Sequence, residues 1–157
     1  MKNRKIVNVL LIISPILVGL ASSILTSEMM KKYGEINKPA LSPPTILFPV
    51  VWTILYLLMG IGAALVYTND SNNKENKNLG LIFHFIQLVL NFFWSIIFFK
   101  AQKYLMAFIW LILLWLSVMS MLQNYKKVSR TAYLLNIPYI VWLTFAGYLN
   151  LAVYILN

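Results

Sequence analysis

The feature that most constrains this chain is a series of five long apolar runs, over about residues 6–27, 44–67, 79–100, 104–123 and 130–156. Each has roughly the 20 residues needed to cross a hydrocarbon core. Inside lipid every backbone donor and acceptor must be paired within the structure, so runs of this length fold as helices. The expected fold class is therefore an all-α membrane protein: a five-transmembrane-helix bundle, one domain over residues 1–157, with a folded loop between helices 1 and 2. Composition agrees. Of 157 residues, 61% are hydrophobic and 11% charged, against about 25% charged in a soluble domain. A cleaved signal peptide ending near Gly19-Leu20-Ala21 is the rival reading of the first run. Its length and the spans that follow favour a retained helix.

The net charge of +9 does not point to nucleic acid. The basic residues sit in short connections between apolar runs, where they set topology and meet anionic headgroups. Five spans put the ends of the bundle on opposite sides. Lys2, Arg4, Lys5, Lys74, Lys77, Lys126, Lys127 and Arg130 gather on the N-terminal side; Lys31, Lys32, Lys38, Lys100 and Lys103 gather on the other. The excess favours a cytoplasmic N-terminus. With no cysteine, one histidine and four acidic residues, disulfide chemistry is excluded and no metal site is expected. The Asn-rich stretch Thr68 to Asn78 reads as a solvated linker between spans.

The densest local signal is KPALSPPTILFPVVWTILY, Lys38 to Tyr56. Pro39, Pro43 and Pro44 stiffen the loop, and the second helix should begin at or just after Pro44. Pro49, inside the first turns, is expected to remove one ladder bond. Phe48, Trp52 and Tyr56 are four apart and share one face. The preceding connection carries Tyr33 and Ile36 among its charges, so it is expected to fold back over the bundle.

In the third span His84, Gln87, Asn91 and Trp94 fall at i, i+3, i+7 and i+10 and share one face. Polar side chains in a span turn to the bundle interior. For Gln87 and Asn91, interhelical bonding and ligand contact both stay open; His84 reads as interhelical bonding. Trp110 and Trp115 read as packing or lipid-facing residues, and Tyr125 as an interfacial anchor beside a basic turn. In the fifth span Pro138 interrupts the run, and Tyr139, Trp142 and Ala146 share a face. Ala146 and Gly147 leave room beside Trp142, or serve ordinary helix packing. Gly19 and Ser23 form a small-xxx-small pair that lets another helix approach closely, or reflect chance spacing in an apolar helix; Gly60 and Gly62 allow tight packing or simply loosen their helix.

No Asp, Glu, Lys or Arg lies mid-span, which disfavours an ion-driven pump or transporter. The lone histidine has no acidic partner for a catalytic relay. What remains is aromatic surface from three helices, converging on a hollow suited to a flat, largely apolar ligand. Lys38 and the N-terminal end of the second helix are placed to receive carboxylates.

The segments KPALSPP, FPVVWTILY, QLVLNFFW and PYIVWLTFAGYLN, in this order and spacing, resemble the translocator protein family. These are the tryptophan-rich sensory proteins, also called peripheral-type benzodiazepine receptors. The resemblance covers nearly the whole chain and is closest to bacterial members. It implies a five-helix bundle in a bacterial cell membrane, often a homodimer, with a pocket under the loop between helices 1 and 2. It implies porphyrin ligands (protoporphyrin IX or haem), isoquinoline and benzodiazepine drugs and sterols, with no required cofactor. By match to the family's pocket, the site residues are Tyr33, Pro43, Pro44, Trp52, Asn91, Trp94, Trp142, Phe145, Ala146 and Leu149. The helical faces add Phe48, Tyr56 and Tyr139. Bacterial relatives are associated with light- and oxygen-dependent loss of protoporphyrin IX, and the residues implied there match Trp52 and Trp142.

Two departures stand out. Lys32 occupies the place where many relatives carry Trp before the loop tyrosine. The segment Tyr154-Ile155-Leu156-Asn157 lacks the basic residue of the animal sterol motif, so only weak sterol binding is expected. Three functions compete: a tetrapyrrole binder, transporter or sensor; a light-dependent porphyrin-degrading activity; and a structural membrane protein whose aromatics only pack.

Overall fold

A computed structural model describes residues 2–32 and 36–157, with side chains over 3–28 and 36–157. Tyr33 lies outside the described residues. Five helices follow in order: α1 (Lys2–Lys32), α2 (Leu47–Thr68), α3 (Lys74–Ser95), α4 (Tyr104–Val128) and α5 (Arg130–Leu156). A single π-helical turn, Ile96–Lys100, extends α3. All five helices are long and apolar enough to cross a membrane, and no strand occurs among the described residues. The helices close a ring in the order α1, α2, α5, α4, α3, with α1 completing it against α3 and the π turn. The outward faces carry Leu10, Leu17, Ile24, Ile54, Val89, Ile109 and Val141, all exposed for lipid contact.

Small residues set the tightest approaches. A Cβ on Gly60 would lie 2.5 Å from the Ile12 carbonyl oxygen and 2.7 Å from its Cα, so α1 and α2 touch backbone to backbone. Gly19 leaves the space filled by the Tyr56 ring, where a Cβ would meet Cε2 at 2.2 Å. Gly62 makes the same kind of room for the Asn136 amide. These three glycines tighten the bundle; they do not loosen it. Gly147 differs, since a Cβ there meets only Leu111, at 3.5 Å. α1 is therefore a member of the ring, although it is the least buried of the five spans.

Several expected boundaries move. The expected linker at 68–78 shrinks to residues 69–73. The Asn73 side chain accepts from the Asn76 amide and caps α3, and the Asn69 and Ser71 side chains accept from the amides of Ser71 and Asn73. Hydropathy missed this start because the first turn of α3 is polar and held by caps. α2 begins at Leu47, after a turn in which the Leu47 amide donates to Pro44. Pro49 is then the third residue of the helix, where the first four amides have no intrahelical acceptor anyway. Its missing donor leaves no gap. Pro15 and Pro138 lie inside helices that continue through them.

The loop between α1 and α2 does fold back. Ile36 packs on the core and Pro39 is buried. Asn37 is latched to the end of α5: its amide donates to Asn157 Oδ1 at 3.1 Å, and Asn157 Nδ2 donates to the Asn37 carbonyl at 3.0 Å. At the opposite end Arg4 bridges to Asp70 at 2.9 Å and to the Thr68 carbonyl. The α3–α4 turn is short and includes Gln102 at φ 52°. α4 and α5 are joined through Ser129 alone, whose hydroxyl accepts from the Ala132 amide.

Gly60→Ala drives a methyl into the α1 backbone and is expected to cost about 1–3 kcal/mol. Gly147→Ala is expected to be near neutral. Thermal unfolding of the two variants in detergent checks the contrast.

Candidate ligand site

The aromatic residues of α2, α3 and α5 meet around Trp52. Its ring lies 5.4 Å from Tyr56, 6.5 Å from Trp94 and 6.2 Å from Tyr139, centroid to centroid. Spacing explains why: Trp52 and Tyr56 are one turn apart on the same face of α2, Trp94 lies at the end of the interior stripe of α3, and Tyr139 lies within that of α5. The Phe48 ring, one turn before Trp52, packs edge-on against Trp142 at 6.0 Å.

Under these rings runs a continuous hydrogen-bonded series. Tyr56 donates to Asn91 Oδ1 at 2.9 Å; Asn91 Nδ2 donates to the Tyr139 hydroxyl at 3.1 Å; Tyr139 donates to Gln87 Oε1 at 2.8 Å. Gln87 Nε2 ends the series on the Met59 sulfur at 3.8 Å. All five residues are buried. Above them, Trp94 Nε1 donates to Asn150 Oδ1 at 3.2 Å, and Asn150 Nδ2 donates to the Tyr104 carbonyl at 2.8 Å. Gln87 and Asn91 are therefore interhelical connectors, although Asn91 fixes two rings of the site through its side chain.

Open space lies on either side of the ring cluster. One cavity, of about 60 Å³, is lined by Thr45, Phe48, Trp94, Phe98, Phe99, Ala146, Leu149 and Asn150. The other, of about 100 Å³, lies toward α1, among Gly19, Ser22, Ser23, Thr26, Phe48, Pro49, Trp52, Tyr56, Trp94, Ser95 and Phe99. Phe48, Trp94 and Phe99 belong to both walls. Small-molecule pockets usually run to about 300–1,000 Å³. The single hollow expected at the centre is instead filled by the Trp52, Trp94 and Tyr139 rings, and the space is divided in two. The half-buried Phe48 and Phe99 rings, with Trp94, are the walls the two cavities share.

The expected site residues distribute as follows. Phe48 and Trp94 line both cavities, Trp52 and Tyr56 the second, and Ala146 and Leu149 the first. Asn91 and Tyr139 form the layer beneath. Trp142 lines neither cavity; it lies against Phe48 and, at 5.6 Å, Phe145. Its buried Nε1 has no acceptor among the described residues. Phe145 continues outward to Tyr148. Pro43 and Pro44 precede Thr45 and line neither cavity. Trp110 donates to the Leu90 carbonyl at 2.8 Å and Trp115 to Thr144 at 2.9 Å, so both are packing residues.

Two readings are corrected. Tyr125 is not an interfacial anchor: its ring is fully buried against Gly80. His84 is not an interhelical connector: it is fully buried, and neither ring nitrogen has a partner among the described residues. The sequence reading also missed Phe98 and Phe99, which the π turn brings inward beside Trp94. It missed Ser22, Ser23 and Thr26 as well, a hydroxyl patch whose presence within a span was itself a signal of an interior face.

A model of the TspO/MBR family matches residues 11–156. The chain is 38% identical over 157 residues to the tryptophan-rich protein TspO of Chlorobaculum tepidum, covering 99% of each chain. It is 40% identical over 125 residues to the protein CrtK of Rhodobacter capsulatus, covering 80% of this chain and 78% of that one. It is 32% identical over 127 residues to the human translocator protein, covering 81% and 75%.

Asn91→Leu removes the acceptor of Tyr56 and one partner of Tyr139, at an expected cost of about 1–3 kcal/mol. Adding Tyr56→Phe is expected to cost less than the sum of the single changes, because the orphaned hydroxyl is gone. Denaturation in mixed micelles measures both.

Proposed function

Because the chain belongs to the TspO/MBR family, we propose that it is an integral membrane protein that binds porphyrins in the aromatic site beneath the α1–α2 loop. The observation that carries this reading is the pair of cavities flanking Trp94, with Phe48 and Phe99 as the partition. A planar tetrapyrrole needs a slot longer than either half, and turning these two rings joins them. Trp52 and Trp94 then offer indole faces to the macrocycle. Ser22, Ser23 and Thr26 offer hydroxyls at one end. Trp142, behind Phe48, backs this wall, and its buried Nε1 has no acceptor among the described residues. Isoquinoline and benzodiazepine ligands are smaller and fit the same site; sterols bind weakly.

Light- and oxygen-dependent breakdown of protoporphyrin IX is the enzyme-like form of this reading. The pigment and oxygen supply the photochemistry, and the chain supplies orientation and electron-rich rings at Trp52 and Trp142. The position of Trp142, behind Phe48 and outside both cavities, favours the simpler form: binding for sensing or transport without breakdown. The protein works as a homodimer in the bacterial cell membrane, with the end bearing Arg4, Lys74 and Lys126 in the cytoplasm.

Protoporphyrin IX added to the purified protein is expected to shift its absorbance, and Ala146→Phe, which fills the smaller cavity, to abolish the shift. Phe99→Ala, which removes part of the partition, is expected to tighten binding. Absorbance followed in light and dark, with and without oxygen, separates the two forms: loss that slows in Trp52→Phe and Trp142→Phe supports breakdown. A stable shift supports binding alone, and no shift in wild type overturns the proposal.

A further inference from the structure

The outward side of the α4–α5 seam is indented, and the proposed porphyrin site makes no use of it. The two helices are antiparallel neighbours packed on each other. Midway along the seam lies a hollow of about 380 Å³, whose lining includes Phe108, Leu111, Ile112, Trp115, Gly147 and Leu151 and is almost wholly apolar. Gly147 makes its floor. A Cβ there would meet only Leu111, at 3.5 Å, so the missing side chain leaves open space. At the deep end Trp115 Nε1 donates to Thr144 Oγ1 at 2.9 Å and ties the two helices together.

A second hollow, of about 490 Å³, opens at the α1–α2 loop end of the same seam, among Gln102, Lys103, Tyr104, Leu105, Tyr154 and Asn157. The two hollows are in line. Leu105 stands three residues before Phe108 and seven before Ile112, and Tyr154 three after Leu151 and seven after Gly147. Each helix therefore presents both sets on one face. From Tyr104 to Trp115 α4 rises about 16 Å, which is roughly half the thickness of a bilayer's hydrocarbon core. The furrow has the depth of one leaflet.

Its mouth is cationic. Lys103 is exposed and has no ion-pair partner among the described residues. No Asp or Glu occurs in residues 99–108 or 149–157. The start of α4, which has no side-chain cap, adds the positive end of a long helix at the same place. Every lipid-facing seam meets acyl chains. This one differs in being indented by a missing side chain, in line with a basic mouth at headgroup height.

We propose that the α4–α5 furrow holds one phospholipid, with its phosphate at Lys103 and an acyl chain laid over Gly147 toward Trp115. The occupant must carry an anionic head and an apolar tail about one leaflet long. A free phosphate would use the mouth alone, and a lipid without phosphate the apolar part alone. Gln102 and Tyr154 supply polar side chains beside the head. The site is separate from the porphyrin reading: Ala146 and Leu149 face the inner cavity, whereas Gly147 and Leu151 face outward.

Native mass spectrometry of the detergent-solubilised full chain, loaded with phosphatidylglycerol or with diacylglycerol of the same chains, tests this. Wild type is expected to retain one phosphatidylglycerol and to hold diacylglycerol poorly. Lys103→Gln is expected to weaken phosphatidylglycerol retention about fivefold. Lys126→Gln, at the other end of α4, is expected to leave it unchanged. Gly147→Leu, which fills the floor, is expected to remove the adduct. Lys103 is exposed and its replacement does not threaten the fold, so the test stands should Gly147→Leu fail to fold. The absence of any adduct on wild type overturns the proposal, as does equal retention of the two lipids or a Lys103→Gln loss matched by Lys126→Gln. A lipid-free dimer that Gly147→Leu splits would give the furrow to a second copy and overturn it likewise.

Discussion

The Tyr139 hydroxyl is the point on which the bundle turns. It accepts from Asn91 and donates to Gln87, while its ring supports Trp52. Single interhelical bonds of this kind contribute only about 0.6 kcal/mol on average in membranes. Their role here is to set register. Asn91 can serve Tyr56 and Tyr139 at once only if α2, α3 and α5 hold one rotation and one height. Aliphatic faces in lipid would permit many. The polar series thus chooses the arrangement, and the glycine contacts of α1 and α2 then pack it.

That arrangement gives the two ends of the interior different characters. On the side of the α1–α2 loop the interior is aromatic, divided beside Phe48, Trp94 and Phe99, and covered by a segment latched to Asn157. On the other side it is close-packed and polar, with Asn136 set into the space left by Gly62. The proposed flat apolar guest belongs to the first end. The second end serves as its foundation, because the rings that would meet the guest are held from below through Asn91 and Gln87.

Much of this was legible from residue spacing. Five spans follow from run length, since hydrocarbon leaves a chain few options. The convergence of Phe48, Trp52, Tyr56, Trp94 and Tyr139 follows from helical period combined with the rule that polar groups turn inward. Other features depend on tertiary distances that spacing does not carry. The π turn at Ile96–Lys100 inserts an irregular step, so Phe98 and Phe99 could not be assigned to a face. Gly60 reads the same in sequence whether it meets lipid or the Ile12 backbone. The start of α3 was misplaced because capping side chains, which are polar, look like linker to a hydropathy scan. His84, close to the membrane edge, reads as interhelical bonding, and only the packing shows that its ring nitrogens have no partner among the described residues.

Ser129, the single residue between α4 and α5, has a consequence for how the molecule moves. A connection of one residue, with its hydroxyl already committed, limits how far two long helices can slide past each other. The short α3–α4 turn extends the same constraint to α3, so three of the five staves of this barrel behave as one plank. The remaining pair, α1 and α2, is joined by the longer loop. Of that pair α1 is the least embedded, and it forms the wall that closes the hydroxyl-lined chamber.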